Sequence, residues 1–227
     1  MSSSFGVDRV VQKHAGKTLV ADLTCDSGQR LCNMWLSDPN LLGIFVAPPC
    51  GTCSRARGIP IVLPNGYRIA GPAPLRSDTY PNGLPGLRWI DRARVSSANK
   101  LYHYVTQIAL RCIKRNLVVC IENPRSSLYW KTGFYKPLKR YLRFIAHQAC
   151  AYGSNRPKHT ALAHNHNAFN SINKSCPGES SSHFHKPWAI VAKTKRFAKT
   201  ALSDEACILH WFCLCHRCQG LWLEASP

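Results

Sequence analysis

LLGIFVAPPCGTCSRAR, residues 41–57, is where the architecture becomes readable. Its first seven residues are continuously apolar and include β-branched and aromatic members. That is the pattern of a strand buried on both faces. Pro48 and Pro49 stop it, because proline cannot continue a central strand. Gly51 then permits a sharp turn, which would hold Cys50 exposed at the strand end rather than buried. Arg55 and Arg57 follow, within reach of a phosphate backbone and able to favour a thiolate nearby. Ordinarily, an intracellular cysteine in such a place is simply packed as a small hydrophobe.

A second stretch, LVVCIENPRSSLYW (117–130), repeats the arrangement. LVVCI predicts another buried strand, ended by Glu122-Asn123-Pro124. Glu122 is the only glutamate in the first 178 residues. Partial burial there would favour the protonated carboxyl, a proton donor near neutrality. Its plainer role is to cap the next turn or pair with an arginine. Between the two strands, Val95, Ala98, Leu101, Tyr102, Val105, Ile108, Ala109 and Cys112 keep helical spacing, predicting a helix over 95–115. Further out, 17–24 predicts a strand and 29–36 a short helix. RSSLYW predicts a turn or short helix, 137–146 another, 164–185 a loop and 196–214 a helix.

This order predicts an α/β domain with a mostly parallel sheet over residues 1–165. Within it, 51–92 is rich in Gly, Pro and Arg. A loop that long is expected to be functional or poorly ordered. Residues 166–227 form a Cys/His-rich extension.

The chain has 227 residues, 30 lysines and arginines against 11 acids, and a formal charge of +19. Apolar residues make up 45%, enough for a core. Such a basic balance favours a polyanionic partner, nucleic acid first. No apolar run approaches the length of a membrane helix, so no membrane partner is expected. The polar N-terminus lacks a secretory signal, so the 12 cysteines read as reduced thiols of an intracellular protein. Cys176, His183 and His185 form a Cys-x6-His-x-His cluster, and Cys150 could complete a tetrahedral zinc site. The tail CILHWFCLCHRC (207–218) fits an amphipathic, cysteine-rich helix rather than a metal knuckle.

Taken together, the two strand-end motifs resemble cytosine-C5 DNA methyltransferases. PPCGTCS is similar to that family's proline-cysteine motif and IENP to its glutamate-asparagine motif. AYGSNRPKHT (151–160) is similar to its basic motif, and GVDRV and VADLT to its second and third strands. PLRSDTYPNGLPGL, RVSSANKLY and HKPWA look closest to a diverged branch found in phage-like and mobile-element-like proteins.

The resemblance implies Cys50 as nucleophile and Glu122 as acid at N3 of a flipped cytosine in duplex DNA. It implies Arg156 and Lys158 as base contacts, supported by Asn123. Asp8, Asp22 and Pro49 would face S-adenosylmethionine. Ser54, Arg55, Arg57 and Arg76 would contact DNA. It also implies a Rossmann-like fold. The strand and glycine-rich loop expected before Asp8 have no room, so the fold is expected to be incomplete, from a truncated or decayed copy. Two other readings remain open: a non-catalytic nucleic-acid-binding module and an inactive remnant.

Overall fold

The computed structural model describes residues 6–8, 18–20, 22–62 and 65–185. Two short strands come first, β1 (Gly6–Asp8) and β2 (Thr18–Val20), followed by helix α1 (Asp26–Leu36) and strand β3 (Gly43–Val46). A small hairpin, β4 (Ile61–Val62) and β5 (Arg68–Ile69), interrupts the long loop. Helix α2 (Trp89–Lys114) and strand β6 (Val118–Pro124) come next, then β7 (Arg143–Gln148) and β8 (His159–His164).

The fold is mixed α/β around a four-stranded sheet of order β3-β6-β8-β7. β3 and β6 are parallel, because α2 supplies the crossover that a parallel pair requires. They pack so closely that a Cβ on Gly43 would lie 2.5 Å from the Val118 carbonyl oxygen, so only glycine fits there. α2 buries the predicted stripe, including Val95, Tyr102, Val105 and Ala109, in the main core beside Ile44, Val46, Val119 and Ile121. Its first turn begins six residues before the apolar stripe. There Asp91 is buried and receives both Arg88 and Arg94. At the other end Arg115 donates to the carbonyls of Leu36 and Asp38, placing a cation at the C-terminus of α1.

Two expectations need correction. The sheet is not mostly parallel: β6–β8 and β7–β8 are antiparallel. The short link 149–158 between β7 and β8 is compatible with a hairpin and too short for a crossover. The helix expected over 137–146 is instead a single 3-10 turn, Lys136–Leu138, followed by β7. Six-residue pairing with β8 overrides the local preference. The parallel pair β1–β2 forms a separate ladder from the four-stranded sheet.

Past β8 the chain stays on this sheet. Phe169 is buried with Cys120 and Leu162, and Ile172 packs against them. The tail cysteines and the predicted helix at 196–214 lie outside the described residues. Among the described residues, no helix is long and apolar enough to cross a membrane.

His164 ends β8 fully buried, its ring 5.2 Å from Phe169. Burial, assisted by the Arg143 charge, lowers its pKa. Burial and the Lys158 charge do the same for His147 on β7. A lowered folded-state pKa means that the unfolded chain binds more protons, so stability must fall as pH drops below the ordinary histidine range near 6.5. Thermal unfolding is therefore expected at lower temperature at pH 5 than at pH 7. His164→Leu should flatten part of that slope. A pH-independent melting temperature would contradict the assignment.

Candidate functional site

Three segments that are distant in sequence reach the same end of the sheet. β3 and β6 run in parallel with Val46 opposite Ile121, so Glu122 lies one step past that pair and Cys50 four residues past Val46. β8 runs antiparallel to β6, with Thr160 opposite Pro124, so Arg156 and Lys158 precede it at this same end. The segments are joined by direct contacts. Asn123 Nδ2 donates to the Pro48 carbonyl at 2.8 Å, and Lys158 Nζ stands 3.9 Å from Glu122 Oε1. The Glu122 side chain retains 21% of its exposure, so it is accessible from the open end of the sheet. Asn123 is buried, and its Oδ1 has no hydrogen-bond partner among the described residues.

Cys50 was expected to be held exposed; it is instead buried, 8% exposed, in a turn that is held from behind. Cys53 N–H donates to the Cys50 carbonyl at 2.8 Å, and Leu128 N–H donates to the Cys53 carbonyl at 2.9 Å. Tyr102 on α2 donates its hydroxyl to the Pro49 carbonyl and lies 3.2 Å from Cys53 Sγ. Burial first, then the neighbouring Cys53, raises the Tyr102 pKa, so it stays protonated and a donor. Trp130 Nε1 donates to the Pro124 carbonyl at 2.8 Å and fixes the chain leaving β6.

Arg76 was expected to face phosphate. It is instead 2% exposed. Its guanidinium donates to Thr52 Oγ1 at 3.0 and 3.1 Å, to the Pro81 carbonyl at 2.9 Å and to Asn99 Oδ1 at 2.9 Å, and lies over the Tyr102 ring. Planar geometry and five donors suit it to this bridging role, which ties the long loop to the Cys50 turn and α2. Thus the loop is anchored, not simply unstructured.

The other loop arginines keep surface access. Arg55 pairs with Asp78 at 2.6 Å and donates to the Ser126 carbonyl. Lys131 shares the same carboxylate. Hydrogen bonds from Arg55 and Lys131 hold Asp78 down to about 2. Arg57 donates to the Ala73 carbonyl at 3.0 Å. Ser54 Oγ accepts the Ala56 N–H within its own turn. Tyr67, Tyr80 and Trp89, all exposed, interleave with Arg68 and Arg88 on this loop.

Of the residues that the resemblance assigns to S-adenosylmethionine, Asp22 and Pro49 each bond within a turn. Asp22 Oδ1 accepts both the Thr24 N–H at 2.9 Å and the Thr24 hydroxyl at 2.6 Å, so the carboxylate serves its own turn. The Asp22 backbone is crowded too: a Cβ on Gly28 would come within 2.1 Å of its carbonyl oxygen. Asp8 ends β1, which among the described residues pairs with β2. Pro49 belongs to the Cys50 turn through its bond from Tyr102.

Cys150, Cys176, His183 and His185 do come together, with one ligand atom from each lying within 4.8 Å of the others. This group can hold a metal ion.

Among the remaining thiols, burial pushes Cys32 up to about 12 and Cys112 up to about 11. Cys25 differs. It is exposed at the start of α1, and hydrogen bonds with Ser27 and the Gly28 N–H lower its pKa. Composition and motif spacing gave no hint of Tyr102, Thr52 or Trp130 as supports. Tyr102 was legible only as a core position of α2, because its carbonyl partner is 53 residues away.

The chain matches no protein-family model and no curated protein, so the reading of this site rests on its residues and their geometry.

Proposed function

We propose that the chain is a cytosine-C5 DNA methyltransferase-like protein, carrying the base-attacking residues of that chemistry on a Rossmann-like fold. The observation that carries the reading is the convergence of Pro48–Cys50, Glu122–Asn123 and Arg156–Lys158 at one sheet end, joined by the Asn123–Pro48 hydrogen bond. The family resemblance of the same three motifs gives it direction.

C6 of cytosine is a weak electrophile. A thiolate adds to it when N3 can accept a proton. Cys50 Sγ forms the C6–S bond, and the C5=C6 pair moves to C4=C5. The C4=N3 pair moves onto N3, which takes the proton from Glu122. Reversal returns the proton and expels the thiolate. Arg156 and Lys158 flank the base, and a duplex substrate must extrude it first. The loop from Gly51 to Arg88, with its arginines and exposed aromatics, offers phosphate contacts and stacking faces. S-adenosylmethionine is the methyl donor the resemblance implies. Asp8, Asp22 and Pro49 are the residues that would face it. The Cys150 cluster is read as a zinc site by its donors, two thiols and two imidazoles.

A basic nucleic-acid-binding module without catalysis is the second reading, favoured by the +19 charge alone. One experiment separates the two. The chain is incubated with a duplex carrying 2-pyrimidinone at a target cytosine. This base is more electrophilic at C6 and forms a thiol adduct without methyl transfer. A complex that survives denaturation is expected. Strongly salt-dependent binding without an adduct would leave only the binding module. Neither binding nor adduct would leave an inactive remnant.

A further inference from the structure

We propose that one zinc ion, held by Cys150, Cys176, His183 and His185, is a structural clasp that fixes the Gly153–Lys158 segment opposite Glu122. The placement of Arg156 and Lys158 as base contacts rests on the nucleic-acid reading above; the clasp itself does not.

The distances match a preformed tetrahedron. Zinc–sulfur bonds of about 2.3 Å and zinc–nitrogen bonds of about 2.05 Å give tetrahedral edges of roughly 3.6 Å for S–N and 3.3 Å for N–N. Cys176 Sγ lies 3.3 Å from His183 Nε2 and 3.4 Å from His185 Nε2, and the two Nε2 atoms are 3.1 Å apart. The Cys150 thiol meets Cys176 as the fourth ligand. Two thiols and two imidazoles suit zinc and not a hard cation such as magnesium or calcium. Four protein ligands close the shell, which marks a structural site and not a catalytic one.

The surroundings complete the argument. Glu179 Oε1 lies 3.3 Å from His185 Nδ1, the carboxylate–histidine pairing that orients a ring bound through its other nitrogen. Gly178 N–H donates to Cys176 Sγ at 3.3 Å, which steadies a thiolate. A tight turn, with Ser180 and His183 exchanging backbone bonds, folds His183 back over Cys176.

The clasp reaches the site through short backbone links. Cys176 N–H donates to Gln148 Oε1 at 2.9 Å, and Gln148 N–H to the Lys174 carbonyl at 3.0 Å. Ala149 N–H, next to Cys150, donates to the Lys158 carbonyl at 2.9 Å, and Ser154 N–H donates to the Ala149 carbonyl at 3.2 Å. Lys158 then faces Glu122. Gln148 is the last residue of β7 and pairs with His159, so the ligand Cys150 sits at the hinge of the β7–β8 hairpin. Without the metal, the loop carrying three of the four ligands has little apolar surface to hold it there. Phe184 is itself 68% exposed.

The test uses the full chain, produced with zinc and purified without chelator. Elemental analysis is expected to give about one zinc per chain, lost in Cys176→Ser. Glu179→Gln, which keeps all four ligands, is expected to bind zinc at least roughly tenfold more weakly. Cobalt in place of zinc should give the absorption bands of a tetrahedral thiolate site. Hydrogen exchange is then followed before and after zinc removal. Amides across 149–158 are expected to exchange faster without zinc, while β3 and β6 stay protected. Absence of zinc, its retention in Cys176→Ser, or a Cys150–Cys176 disulfide in the purified chain would overturn the site. Bound zinc whose removal leaves 149–158 unchanged would overturn the clasp. Zinc-dependent protection in a chain that binds no DNA would uphold the clasp and defeat the nucleic-acid reading instead.

Discussion

Cys50→Ser is expected to abolish the denaturation-resistant complex with a 2-pyrimidinone duplex while leaving salt-dependent DNA affinity within about twofold of wild type. The sulfur adds nothing to phosphate binding, and a serine hydroxyl is far weaker as a nucleophile at neutral pH. Glu122→Gln should keep the complex but slow its formation about 100-fold, the usual contribution of a placed general acid. An amide can donate a hydrogen bond to N3 but cannot deliver a proton. Lys158 stands 3.9 Å from that carboxylate, so the same substitution also removes its ion-pair partner. The two effects separate by assay: adduct rate reports Glu122, and the salt slope of DNA binding reports Lys158. An adduct rate unchanged in Glu122→Gln would remove the acid from the mechanism.

Arg76→Ala is expected to destabilise the protein by about 3 kcal/mol, because a buried guanidinium bridges three segments and its acceptors would be left unpaired. Thr52, Pro81 and Asn99 would each lose a donor, and the Tyr102 ring would lose its cation. Urea unfolding reads the effect directly. Local damage should precede global loss: protease cleavage within 75–88 should accelerate in dilute urea before α2 exposes its core. Adduct formation should slow as well, since the Cys50 turn hangs from Thr52 and Tyr102. Arg76→Ala of wild-type stability would return Arg76 to the surface role first assigned to it.

The parts of this fold that were legible in the sequence are those in which one segment carries its own signal. The apolar run of β3 ends at Pro48 because two prolines end it, and the α2 stripe is a helix because its spacing admits nothing else. The order of Cys50, Glu122 and Lys158 could be read as one site only through a family resemblance. Burial of β6 between β3 and β8 is what brings them to one end.

β8 was missed because HTALAH lacks the β-branched density of β3. It becomes a strand by pairing on both sides, with β6 and with β7. Arg76 was misread for a similar reason. An arginine in a Gly/Pro-rich loop is usually a surface residue, and nothing local announces that Thr52 and Asn99 will enclose it. The metal ligands were legible by type, since two histidines and a cysteine in ten residues stand out. The link to Cys150 needed the β7–β8 hairpin, which places it beside them.

Among the described thiols, Cys25 is the natural rival of Cys50 as nucleophile. Cys25 is exposed with a lowered pKa, whereas Cys50 is nearly buried behind its turn. Ordinary alkylation should therefore favour Cys25, and attack on a flipped base should favour Cys50. Tandem mass spectrometry of the peptide bonded to the 2-pyrimidinone duplex tests this most directly. The nucleotide is predicted on the peptide carrying Cys50. Its attachment to Cys25 or Cys53, or the recovery of every cysteine unmodified, would contradict the account.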